Sequence, residues 1–177
     1  MENNVRMEIV EFRKRTRRLL PKSQELDLWV LKGQILIEEQ INRLIEQGMC
    51  EKKFLKEARL TSHQKIMLAQ AMMGKSGFER EWDFIQALNA LRNKLAHKAE
   101  VKDFTSLVDD AMKPFMPSRF TKSKTKKDRV ERLEFCISIT LGMLSGIEET
   151  HNRIFSKPGS LLAWNTALYK DEITEEC

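Results

Sequence analysis

Glycine and proline, the residues that punctuate turns, are scarce in this chain, at 7 and 4 of 177 residues. So few breakers exclude a chain of many short strands and leave room for long uninterrupted helices. Cysteine occurs three times, at Cys50, Cys136 and Cys177, an odd number at wide spacing with no C-x-x-C pair. That pattern argues against a disulfide framework and a structural zinc site, and for a reducing, cytoplasmic setting. His63 has no ligand partner three or four residues on, so a metal is not expected. No glycine-rich loop offers a cradle for phosphates, and no cofactor is expected either. Long apolar runs are missing as well: none approaches the ~18–20 residues a bilayer span needs. The start, MENNVRMEIVEFRKRTRRLL, mixes acids with bases and lacks the apolar centre of a signal peptide.

What is present is helical in character. Leu, Ile, Met, Glu, Lys and Gln are plentiful, and 32% of the chain is charged. One all-α domain over residues 1–157 is expected, a helical bundle with a long buried C-terminal helix. Residues 158–177 form a tail after Pro158-Gly159, with Leu161, Leu162 and Trp164 able to dock on the bundle ahead of an acidic end. Apolar spacing predicts helices over Val5–Leu20, closed by Pro21, and over Ser23 or Gln24 to Gln47, stopped by Gly48. Further helices are predicted over Lys52–Ala58, from Thr61 or Ser62 to Met73, Val101–Lys113 and Asp128–Phe155. Phe135–Ile147 is apolar almost all round, as in a helix at the centre of a bundle. Gly33 sits mid-helix, where a close backbone neighbour would explain it. Met67, Met72 and Met73 read as adaptable core filling.

Two stretches carry chemistry. The first is Trp82–Lys98. Phe84, Leu88, Leu91 and Leu95 form a core-facing stripe, while Trp82, Gln86, Asn89, Asn93 and His97 form a second stripe without a fixed charge. Such a face is expected to be covered, either by another helix or by a second subunit. Asp83, Lys94 and Lys98 gather on a solvated flank. The second stretch is the basic loop 117–132, where Arg119, Lys122, Lys124, Lys126, Lys127, Arg129 and Arg132 face only Asp128 and Glu131. Its excess of cations matches the +5 of the whole chain. Localised charge of this kind is the footprint of phosphate binding, or else a solvated loop; the lone nearby aromatic, Phe120, offers little for base stacking.

The run Arg92-Asn93-Lys94-Leu95-Ala96-His97 resembles the Arg-x4-His motif of the HEPN superfamily, small all-helical and commonly dimeric domains. Many of its members are metal-independent ribonucleases of toxin–antitoxin, phage-defence and CRISPR systems. The pattern leading to Glu39, followed by Ile41, Leu44 and Ile45, is similar to the second helix of the mannitol operon repressor branch, whose members are regulators. The resemblance implies an endoribonuclease with Arg92, Asn93 and His97 as catalytic residues; for such a substrate the localised charge makes Lys98, Lys122, Lys124, Lys126, Lys127 and Arg129 the expected RNA-binding residues. It also implies a homodimer through the helix of Trp82, Gln86, Asn89, Asn93 and His97. Its alternatives are an inactive helical regulator and a non-cleaving RNA-binding dimer.

The residue types suit the chemistry. Histidine serves as acid or base near neutral pH, and arginine grips two phosphate oxygens at once. Five steps of ~100° put Arg92 and His97 about 140° apart around a helix, a gap that a two-fold pairing of helix ends would close. Glu38 and Glu39 either pair with Arg92 across helices and orient it, or simply face water. In the purely structural alternative Arg92 pairs with one of them and His97 satisfies a helix end. HEPN toxins silenced by nucleotidyl transfer carry a tyrosine two residues after the histidine, where this chain has Ala99. An antitoxin or regulatory partner would therefore act in another way.

Overall fold

The helix around which the others assemble is the second one expected, and its sequence explains why. In Leu26–Gly48, Val30, Ile37, Ile41, Leu44 and Ile45 repeat at helical spacing and are all fully buried. Each such side chain stabilises the fold by roughly 1.5–3 kcal/mol relative to exposure. A computed structural model describes residues 14, 18–49, 52–73, 77–97, 101–115 and 123–155, with backbone alone for 151–155. Leu26–Gly48 is α1 here, followed by α2 (Lys52–Glu57), α3 (Ser62–Met73), α4 (Glu79–His97), α5 (Phe104–Met112), a 3-10 turn at Lys113–Phe115, and α6 (Lys126–Phe155). The described residues are all-α, with no strand among them. α1 packs against α3, α4 and α6, and α5 fills the space between α4 and α6.

Local chemistry sets most helix ends. Thr61 and Gln64 cap α3 reciprocally: the Gln64 N–H donates to the Thr61 hydroxyl at 3.3 Å, and the Thr61 N–H donates to the Gln64 Oε1 at 2.9 Å. Thr125 caps α6 by accepting from the Asp128 N–H at 3.1 Å, so that helix starts at Lys126, two residues earlier than expected. Gly77, at φ +85°, turns the chain into α4, and its N–H donates to the Glu79 carboxylate at 3.1 Å. α1 ends differently from the expectation. Gly48 is its last helical residue rather than a left-handed stop, and Met49 leaves in an extended conformation.

Three packing expectations are corrected. A Cβ on Gly33 would lie 2.5 Å from the Cδ1 of Ile137 and 3.8 Å from Leu88, so side chains of α6 and α4, not a passing backbone, demand the glycine. α6 is not buried all round. Val130, Leu133, Cys136, Ile137, Thr140, Leu141 and Leu144 face inward, whereas Phe135 and Ile139 are 50% and 36% exposed. A helix lying along one side of a bundle buries only one face, and an apolar run does not state how many neighbours it has. Met67 points outward, while Met72 and Met73 pack on the core as expected. Cys136 behaves as a small hydrophobe: burial pushes its thiol up to about 12. The expected segment Val5–Leu20 lies largely outside the described residues, with Lys14, Arg18 and Leu19 helical and Leu20 buried; the tail 158–177 lies outside them.

Candidate functional site

The first half of α4 answers what covers its uncharged polar stripe. Trp82 and Asn89 are buried, and Gln86 is partly so. The Gln34 amide of α1 donates to the Asn89 Oδ1 at 3.4 Å, and the Gln86 amide donates to the Gln70 Oε1 of α3 at 3.2 Å. Uncharged amides stand there because buried polar groups need partners and a buried charge would cost far more. The covering elements are helices of the same chain, so buried Trp82 and Asn89 are not available as a subunit contact, while partly buried Gln86 is bonded across to α3. That part of the expected dimer surface is corrected. Only the last turns of the stripe, half-buried Asn93 and exposed His97, reach the surface.

The opposite side holds the tip in place. Phe84, Leu88 and Leu91 are buried, and the Phe84 ring meets Phe115 edge-on with centroids 5.4 Å apart. On this rigid base the half-buried Arg92 donates from Nη1 to the Asn93 Oδ1 at 3.1 Å. The bond turns the guanidinium toward Asn93, its neighbour on the helix. His97 is the last residue of α4, so its imidazole stands at the open end of the helix. Of the three expected residues the structure joins Arg92 to Asn93 by that hydrogen bond and leaves His97 exposed at the helix end; Lys98 lies outside the described residues.

Glu38 is neither directly paired with Arg92 nor facing water. It accepts from the Ser62 hydroxyl at 2.7 Å and from the Lys65 ammonium at 2.9 Å, which ties α1 to α3. Burial pushes its carboxyl up, but the Ser62 and Lys65 hydrogen bonds, the Lys65 charge and the charge of nearby Arg92 together hold it below its ordinary value. Arg92 therefore acts on Glu38 through its field, and Lys65 is a cation of this neighbourhood that linear spacing did not reveal. Nothing local marks it; only the packing of α3 on α1 brings it there. Glu39 is exposed.

The basic stretch divides. Arg129 is committed to the fold: its Nε and Nη2 grip both oxygens of Asp109 at 2.9 and 3.0 Å, and Nη2 also reaches the Ser123 carbonyl at 3.1 Å. With side chains 14% and 1% exposed, this is a buried bidentate pair between α6 and α5, and Arg129 is corrected from phosphate ligand to structural clasp. Arg132 bonds Asp128 at 2.9 Å, one turn earlier on α6. Lys124, Lys126 and Lys127 remain exposed around the start of α6, where Lys127 stands 3.8 Å from Glu131. Lys122 and Arg119 lie outside the described residues.

Among the described residues no three His, Cys, Asp or Glu side chains converge to hold a metal ion, and no helix is long and apolar enough to cross a membrane. The end of α4 carries a cation, an amide and an imidazole within six residues. Comparisons with protein-family models, with curated proteins and with solved structures give no match to this chain.

Proposed function

We propose that this chain is a metal-independent endoribonuclease of HEPN type, acting in the cytoplasm as a toxin or phage-defence effector. The observation that carries the reading is the tip of α4, where Arg92 leans on Asn93 beside an exposed His97. In the reaction a base removes the proton of a ribose 2′-OH, and that oxygen attacks the adjacent phosphorus. The bond to the 5′ oxygen breaks, an acid protonates the departing oxygen, and a 2′,3′-cyclic phosphate remains. His97 takes one proton-transfer role and the partner's His97 the other, while Arg92 steadies charge on the phosphate oxygens. Two tips related by a two-fold axis would supply both imidazoles. Among the described residues of the basic stretch, exposed Lys124, Lys126 and Lys127 are the cations that would hold the RNA backbone.

A second reading has an observation of its own. The field of Arg92 falls on Glu38, which suits a structural arginine in a non-cleaving regulator of the mannitol operon repressor kind or an RNA-binding dimer. Purified protein incubated with single-stranded and structured RNA in EDTA separates the two. The nuclease reading expects cleavage that persists without metal and vanishes in His97→Ala. Intact RNA, with wild type and variant alike, would hand the protein to the regulator reading.

A further inference from the structure

The outward face of α6 differs from that of α1, the other long helix. From Phe135 to Ile147 the helix holds no charged residue at all. Phe135, Ile139, Gly142 and Gly146 succeed one another at i, i+4, i+7 and i+11, a single exposed stripe. A Cβ placed on Gly142 or Gly146 would meet nothing within 4 Å. The outward face of α1, by contrast, carries Asp27, Lys32 and Glu39 beside its one strongly exposed aliphatic, Ile35. An uncharged stripe three turns long, on a chain so rich in charge, is a surface made to be covered.

We propose that the occupant is the chain's own C-terminal segment, residues 156–177, lying back along α6 in the opposite direction. Three features select it. It leaves from the end of α6, nine residues beyond Gly146, the last residue of the stripe. Its first part carries Leu161, Leu162, Trp164 and Leu168, which match an apolar face, and its last part carries Asp171, Glu172, Glu175 and Glu176. Followed backwards, the stripe leads through Glu131 to Lys127, beside Lys126 and Lys124, so the segment's order of apolar then acidic mirrors the order met along α6. The N-terminal segment is the poorer match, because Arg13, Lys14, Arg15, Arg17 and Arg18 would be set against those lysines.

Length agrees. From Phe155 back to Glu131 is about 36 Å at ~1.5 Å per helical residue. The segment spans up to ~70 Å when extended. Left undocked, it would wander over about 26 Å, by ~5.5 Å times the square root of its length. Docking therefore decides how often its far end meets the start of α6.

Cys177 makes this measurable without a foreign label. In a Glu131→Cys, Cys50→Ala chain under mild oxidation, a disulfide between the new cysteine and Cys177 is expected within one chain, seen as a faster-migrating monomer in a non-reducing gel. Cys136 stays out of the reaction because it is buried. Adding Phe135→Asp and Ile139→Asp, both on exposed positions, should slow that disulfide about tenfold by releasing the segment. An unchanged rate, or no disulfide in either chain, overturns the proposal. So does a disulfide joining two chains, which would assign the stripe to a second copy. The test is independent of whether the protein cleaves RNA.

Discussion

Two arginines of this chain, Arg92 and Arg129, are alike in the sequence and opposite in the fold. Arg129 is enclosed, with both nitrogens of its fork spent on a carboxylate that is itself 1% exposed. Arg92 is half-buried and bonded to a neutral neighbour, the Asn93 amide, while the carboxylate nearest its field is already held by Ser62 and Lys65. A guanidinium matched by a dedicated carboxylate is a structural part; one bonded to an amide is not committed to an ion pair. The lesson is that an arginine's role is read from what faces it, and that a basic run can hide a clasp among solvated lysines.

The sharpest way to break the contrast is to remove each arginine in turn. Arg92→Ala is expected to lower RNA cleavage by about 10²–10⁴-fold, the range for losing a group that acts on the reacting atoms, with the urea unfolding midpoint unchanged. A fall in midpoint without loss of cleavage would reverse its assignment. Arg129→Ala should do the opposite to the fold, costing about 3–5 kcal/mol in urea unfolding because Asp109 is left charged and enclosed. Replacing both partners, Arg129→Met with Asp109→Leu, should recover part of that loss; no recovery would show that the pair is not what Arg129 contributes.

Gly33→Ala tests the packing on which the tip rests. Forcing Ile137 aside costs about 1–3 kcal/mol, set against a helix-propensity gain of about 1 kcal/mol, so a net loss is expected in thermal unfolding. Adding Ile137→Val should reduce it. Changing Lys124, Lys126 and Lys127 together to Gln should leave the fold intact and lower the salt dependence of RNA binding by ~2 in log–log slope, at ~0.7 per cation on a single strand. An unaltered slope would place the phosphates elsewhere. The smallest effect concerns Glu38. Its folded carboxyl titrates below its unfolded value, so its stabilisation is fully present above the ordinary carboxylate range and is lost as pH falls through the lowered folded value. The stability gap between wild type and Glu38→Gln should therefore be seen at neutral pH and should shrink on acidification.

Much of the fold was legible because helices announce themselves locally. The stripes Val30, Ile37, Ile41, Leu44 and Phe84, Leu88, Leu91 place two central helices from spacing alone, and Thr61 marks the start of a third. The prominence of Arg92, Asn93 and His97 was also legible, since an i, i+1, i+5 pattern near a helix end needs no knowledge of neighbours. What the sequence left open or misplaced depended on a neighbour's identity. The amides Gln86 and Asn89 meet Gln70 and Gln34 rather than a second subunit. Phe135 and Ile139 read as interior, yet they face outward.

By itself, then, the sequence determined that the chain is helical, where most helices start and stop, and which residues stand at the tip of α4. These follow from interactions within a few residues, whose partners are written next to each other. Only the tertiary structure decided that Asp109 claims Arg129, that Lys65 and Ser62 claim Glu38, and that one face of α6 turns away from the other described helices. Those outcomes depend on which helices meet and at what height, a choice made by the packing of the whole core and not encoded in any single segment.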